Sequence, residues 1–95
     1  MSRLPPIHCL QTFETLARTR NVSKTADALC ISSSAVSHRM KLLQSIVKER
    51  LFDGVDYSLT EEGMTYLGVV SESLRLLKSH SFKPQKDSYP QRMTQ

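Results

Sequence analysis

The stretch VSKTADALCISSSAVSHRMKLL, residues 22–43, leaves this chain few folds to choose from. Two helical patterns, one on Ala26 and Leu29 and one on Val36, Met40, Leu43 and Val47, are separated only by Cys30, Ile31 and Ser32. Two helices joined by so short a turn form a helix–turn–helix. Ser23 reads as the N-cap of a helix over about 23–30, and Ser32 as the N-cap of a helix over about 33–48. Ile31 just before that cap and Val36 four residues after it are placed to form a hydrophobic staple, which fixes the angle of entry into the second helix.

Pro5 and Pro6 suit the opening of a preceding helix over about 5–19, whose inward positions are Leu10, Phe13, Leu16 and Ala17. Asn21 is read as its left-handed stop. Leu51 and Phe52 followed by DGVDYSL read as a short hairpin, with Gly54 or Asp56 in the turn and Tyr57 and Leu59 returning. Thr60 caps a long last helix over about 60–80, with Glu61 and Glu62 at its positive end and Lys78 and His80 near its negative end. From Ser81 the text is polar and holds two prolines, the pattern of a disordered tail or linker. The expected fold is mainly α: a three-helix core with a short two-stranded wing, a winged helix–turn–helix over 1–59, then a helix over 60–80 and a tail over 81–95.

Ninety-five residues allow one domain with a modest core. The net charge of +4 is less informative than its distribution. Residues 18–50 carry seven cations against Asp27 and Glu49, whereas 51–65 carry only Asp53, Asp56, Glu61 and Glu62. The basic charge therefore lies on the helix–turn–helix. No apolar run is long enough for a membrane span, and the N-terminus lacks a secretory core. Cys9 and Cys30 are the only cysteines and form no close pair, so structural thiols in a reducing cytoplasm are expected. For Cys30, in the turn, a small buried residue is the favoured reading over a redox switch. His8, His38 and His80 do not cluster, and no nucleophile–base set or glycine-rich phosphate loop is present. Neither metal, cofactor nor enzymatic activity is expected.

One face of the helix over 33–48 carries Ser33, Ser34, Ser37, His38 and Lys41, all polar, mostly small and free of acids. A solvated helix face ordinarily mixes Glu with Lys. Small donors without carboxylates suit phosphates and base edges, and let a helix approach the floor of a major groove. Ser34 and His38 are the leading base-edge candidates; Ser33 and Ser37 serve either bases or backbone. Lys41 is a phosphate candidate. Arg39, between the two faces, either reaches a phosphate or pairs with Glu14 or Asp27. Ser23, Lys24 and Thr25 open the preceding helix, whose positive end is a possible phosphate seat; Ser23 is then both cap and donor, or cap alone. Ser32 completes the DNA-facing set. Arg18 and Arg20 either extend the basic surface or are merely solvated.

Leu67, Val70, Leu74 and Leu77 step by three, four and three residues, a seam of the a/d kind. It packs on the first helix or, where the helix outruns so small a core, on a second copy. Two copies would present two reading helices to a pseudo-palindromic duplex.

Ala26, Leu29, Ser32, Ala35, Val36, Ser37, Leu43, Leu51, Phe52, Leu59, Thr60 and Gly63, together with the LPP, AVSH and LTEEG strings, make residues 4 to about 80 resemble the DNA-binding domain of LysR-type transcriptional regulators. The likeness is to the branch of glycine-cleavage activators and β-lactamase regulators. The resemblance implies sequence-specific binding of double-stranded DNA, and a homodimer through the long helix. Three departures stand out. Lys48 occupies the family's glycine after the reading helix, so a different exit is expected. Ser33-Ser34 replaces Gln-Pro. The wing is shorter, lacks the family's arginines and carries Asp53 and Asp56, which would oppose phosphate contact. The family's effector-binding domain has no counterpart in these residues, so no small-molecule effector site is expected, and the chain reads either as an excised domain or as a naturally short protein. The competing reading is a winged-helix module that binds protein, forming mixed dimers with a full-length relative.

Overall fold

The structure, a computed structural model, describes residues 4–80. The tail expected over 81–95 lies outside the described residues. Four helices and a two-stranded wing follow in order: α1 (Ile7–Thr19), α2 (Val22–Leu29), α3 (Ser33–Val47), β1 (Phe52–Asp53), β2 (Ser58–Leu59) and α4 (Glu61–Ser79). This is the mainly helical winged architecture expected from the sequence.

The helix ends follow from which residue can best serve which cap. Only Arg20 and Asn21 separate α1 from α2, so one must turn left-handed and the other must be extended. Asn21 was expected to turn. Instead Arg20 does (φ 54°), donating its N–H to the Leu16 carbonyl, and Asn21 stays extended with Oδ1 accepting the Lys24 N–H at 2.8 Å. Asparagine brings a capping acceptor that arginine lacks, and that gain decides the arrangement. Ser23 is consequently not the cap; it lies exposed in the first turn of α2. Pro6 is the extended N-cap of α1, so that helix opens two residues later than the prolines suggested.

Ser32 caps α3, its Oγ accepting from the Ala35 N–H at 3.1 Å. Ile31 packs against the core to which the fully buried Val36 belongs. At the other end the helix exits left-handed without a glycine: Lys48 takes φ 60° and donates its N–H to the Gln44 carbonyl at 2.8 Å. The turn needs a left-handed residue, and a lysine with its side chain in solvent tolerates it at a cost of about 1 kcal/mol.

Gln44 then ties α3 to the wing, its Oε1 accepting from the Leu51 N–H at 2.7 Å and the Phe52 N–H at 3.4 Å. In the hairpin Phe52 pairs with Leu59 and Asp53 with Ser58. Residues 54–57 form the turn, with Gly54 at φ 72° and Tyr57 at φ 56°. Tyr57, expected in the returning strand, is therefore the last turn residue. Thr60 joins wing to α4: its hydroxyl donates to the Arg50 carbonyl at 2.6 Å and accepts from the Gly63 N–H at 2.9 Å. A Cβ on Gly63 would sit 2.1 Å from the Leu51 carbonyl oxygen, so this contact requires glycine.

The core gathers Cys9, Phe13 and Leu16 from α1, Ala26 from α2, Val36, Met40 and Leu43 from α3, Leu51 and Phe52 from the wing, and Val70 and Leu74 from α4. Phe13 is its centre, with ring centroids 5.5 Å from Phe52 and 5.7 Å from Tyr66. The seam expected to pair copies is divided. Val70 and Leu74 are buried in the chain's own core and Leu67 packs against it, while Leu77 remains 53 % exposed. The apolar residues that α4 leaves open are Met64, Val69, Leu76 and Leu77.

Candidate nucleic-acid interface

The buried stripe Val36, Met40 and Leu43 fixes the rotation of α3, which turns Ser33, Ser34, Ser37, His38 and Lys41 outward, all exposed. Among the described residues, none of these five side chains is engaged by a hydrogen bond or ion pair. Ser34 and His38 are one turn apart, as are Ser33, Ser37 and Lys41 in succession, so two adjacent columns of donors run along the helix. No acidic residue occurs anywhere in α3. Exposed Ser23 and Lys24 stand at the start of α2, and Ser32 is exposed while its Oγ serves the cap.

Two expected site residues are committed elsewhere. Thr25 is fully buried, its hydroxyl 2.7 Å from that of Thr19. Thr19 in turn donates to the Asn21 carbonyl and accepts its N–H, so the pair of threonines builds the α1–α2 corner. Arg39 pairs with neither Glu14 nor Asp27: its Nη1 donates to Thr12 Oγ1 at 3.1 Å, and Thr12 donates to the His8 carbonyl at 2.7 Å. It is half-buried and ties α3 to α1. Burial raises the pKa of the neighbouring Cys9 thiol, and the Arg39 charge partly offsets the rise. Cys30, expected to be buried, is exposed, because as the left-handed C-cap of α2 (φ 58°) it points away from the core.

The wing's acids are both held by arginines. Arg50 pairs with Asp53 at 3.3 Å. Arg20 reaches across from the α1–α2 corner: its Nη2 contacts Asp56 Oδ2 at 3.1 Å and Ser58 Oγ at 3.0 Å, and its Nε donates to the Asp56 carbonyl at 3.3 Å. Asp56 Oδ1 accepts from the Ser58 hydroxyl at 2.9 Å and the Ser58 N–H at 3.3 Å. The Ser58 donors chiefly, and Arg20 with them, hold its carboxyl below the usual aspartate value. A cleft of about 170 Å3 separates wing from α3, lined among others by Val22, Ser37, Lys41, Gln44 and Tyr57. Sequence reasoning left Arg20's role open and placed Tyr57 only in the returning strand. The partners of Arg20 lie 36 and 38 residues away, a separation no local pattern encodes.

Among the described residues no helix is long and apolar enough to cross a membrane.

Residues 7–64 match the family model described as bacterial regulatory helix-turn-helix protein, lysR family. A glycine cleavage system transcriptional activator homolog from Haemophilus influenzae is 42 % identical over 77 residues, covering 79 % of this chain and 26 % of that protein. A carbapenem-hydrolyzing beta-lactamase transcriptional activator from Enterobacter cloacae is 34 % identical over 76 residues, covering 78 % and 26 %. These two curated relatives are thus matched over about a quarter of their length. In fold, the chain is similar to the BenM DNA-binding domain solved with catB site 1 DNA, with a TM-score of 0.75 at 20 % identity, covering 78 % of this chain and 82 % of that one.

Proposed function

Because the chain belongs to the LysR family of bacterial regulatory helix–turn–helix proteins, we propose that it binds double-stranded DNA sequence-specifically, in the cytoplasm, as the DNA-binding part of a dimeric transcription regulator and not as an enzyme. One observation carries the reading: α3 offers an exposed, acid-free face of small donors that nothing among the described residues engages. In this reading the N-terminal half of α3 enters the major groove. Ser34 and His38 meet base edges; Ser33 and Ser37 meet bases or backbone. Lys41, Ser23 and Lys24 hold phosphates, with the exposed start of α2 adding its positive end. Thr25 is left out of the set, since it is fully buried and its hydroxyl is occupied within the fold.

Two copies pair through α4. Val69 and Leu76, seven residues apart, share one face of that helix, and Leu77 adjoins it where the helix runs past the core. The pair then reads half-sites about one helical turn apart, or a multiple of that.

Selection of bound duplexes from a randomised pool, followed by anisotropy titrations of the winner and its scrambled version across a salt series, tests the proposal. The expected result is preferential binding of the winner, with affinity falling steeply with salt for both. Equal binding of both duplexes at every salt concentration refutes it. Capture of a full-length regulator with no duplex affinity would favour the protein-binding alternative.

A further inference from the structure

The acidic wing and the corner before α2 are joined through Arg20, whose guanidinium is spent on the wing. Val22, two residues after Arg20, and Tyr57, the residue after Asp56, line the same cleft as Ser37 and Lys41. The chain neighbours of the Arg20–Asp56 bridge thus share a cleft with two residues of the outward face of α3. Three guanidinium hydrogen bonds go to the wing: to the Asp56 carboxylate, the Asp56 carbonyl and the Ser58 hydroxyl. Both side chains remain more than half exposed, at 52 % and 63 %, so the bridge adds little to stability. Its consequence is electrostatic.

We propose that Asp56 sets the affinity of this domain for DNA by holding Arg20 on the wing and so withholding it from the phosphate backbone. The inference rests on the DNA-binding reading. A phosphate competing for Arg20 must displace the Asp56 carboxylate and also approach its charge. Removing the carboxylate frees one cation at the edge of the interface. No other ion pair joins Arg20 or Asp56 to a third charged residue among the described residues, so the pair can be tested as a closed unit.

The test is a double-mutant cycle on the full chain, read by anisotropy against the selected and the scrambled duplex over a salt series. Asp56→Asn keeps the side chain's shape. Arg20→Gly suits the left-handed backbone at that position (φ 54°). Asp56→Asn is expected to tighten binding of both duplexes about fivefold at low salt and to steepen the salt dependence by about one released ion. Arg20→Gly alone is expected to stay within about twofold of the parent chain, because the held arginine contributes no phosphate contact. In the Arg20→Gly background, Asp56→Asn should give less than about twofold. Melting curves of the variants check that each is folded. The proposal is overturned if Asp56→Asn leaves affinity unchanged or weakens it, if the gain survives without Arg20, or if Arg20→Gly by itself weakens binding severalfold. A parent chain that binds neither duplex removes the DNA-binding reading itself, a result distinguishable from failure of the cycle.

Discussion

The outward face of α3 and the wing border one cleft, yet they treat charge in opposite ways. On α3, Ser37 and Lys41 project beside Ser33, Ser34 and His38 with no acid on the helix and no hydrogen-bond or ion-pair partner among the described residues. On the wing, Asp53 and Asp56 each draw in an arginine, Arg50 and Arg20. Donors on the first surface are free for a ligand, while cations near the second are spent inside the chain. A short loop has no core to hide a carboxylate's field, so it recruits counter-charges from its surroundings. A helix whose buried stripe fixes its rotation can leave its other face unpaired. Net charge alone misjudges such a domain, because what matters is which cations remain uncommitted.

Four experiments break or sharpen this contrast. The largest effect is expected from Ser34→Glu, which puts a carboxylate on the acid-free face: duplex affinity should fall about a hundredfold in a mobility-shift titration, with circular dichroism unchanged. Retained binding would mean that α3 is not the contact surface. His38→Ala should cost about 1–3 kcal/mol of discrimination between selected and scrambled duplexes, measured as the ratio of their dissociation constants. Lys41→Ala should weaken both duplexes alike, by about fivefold, and lower the salt slope by about one. At the tip of the wing Val55 is 97 % exposed; Val55→Arg should tighten binding by about threefold if only an uncommitted cation is missing there. No change in that variant would place the wing away from the duplex.

A fifth expectation concerns the pairing surface proposed on α4. Leu76→Glu should convert the dimer to monomer in sedimentation experiments while leaving the helical content intact, since Leu76 is outside the core.

The helices and the buried stripe of α3 were legible because periodicity is local: Phe13, Leu16, Val36, Met40 and Leu43 declare their faces within two turns. The outward donors on α3 were legible as the complement of that stripe. The corners were not, because two residues competed for two jobs, and only the capping geometry showed that Asn21 would cap while Arg20 turned. The threonine pair was hidden for a related reason. A hydroxyl such as Thr25 reads as polar surface until its partner, Thr19, is placed opposite it in space. Arg39 likewise has the composition of a phosphate contact, and only the packing of α3 on α1 revealed Thr12 as its acceptor. On α4 the spacing identified Val70 and Leu74 as an apolar line, but spacing cannot tell a neighbour in the same molecule from one in another.

The left-handed helix ends at Arg20, Cys30 and Lys48 have an implication for how the domain can change. None of the chain's three glycines lies before Gly54, so each of these corners is held by a residue with a side chain to position. Glycine at Lys48 should raise the unfolding free energy by about 0.5–1 kcal/mol, readable in a urea titration. That unclaimed stability amounts to evolutionary latitude: ancestors or descendants with glycine at these bends would be sturdier, but at position 20 they would lose the arm that grips the wing.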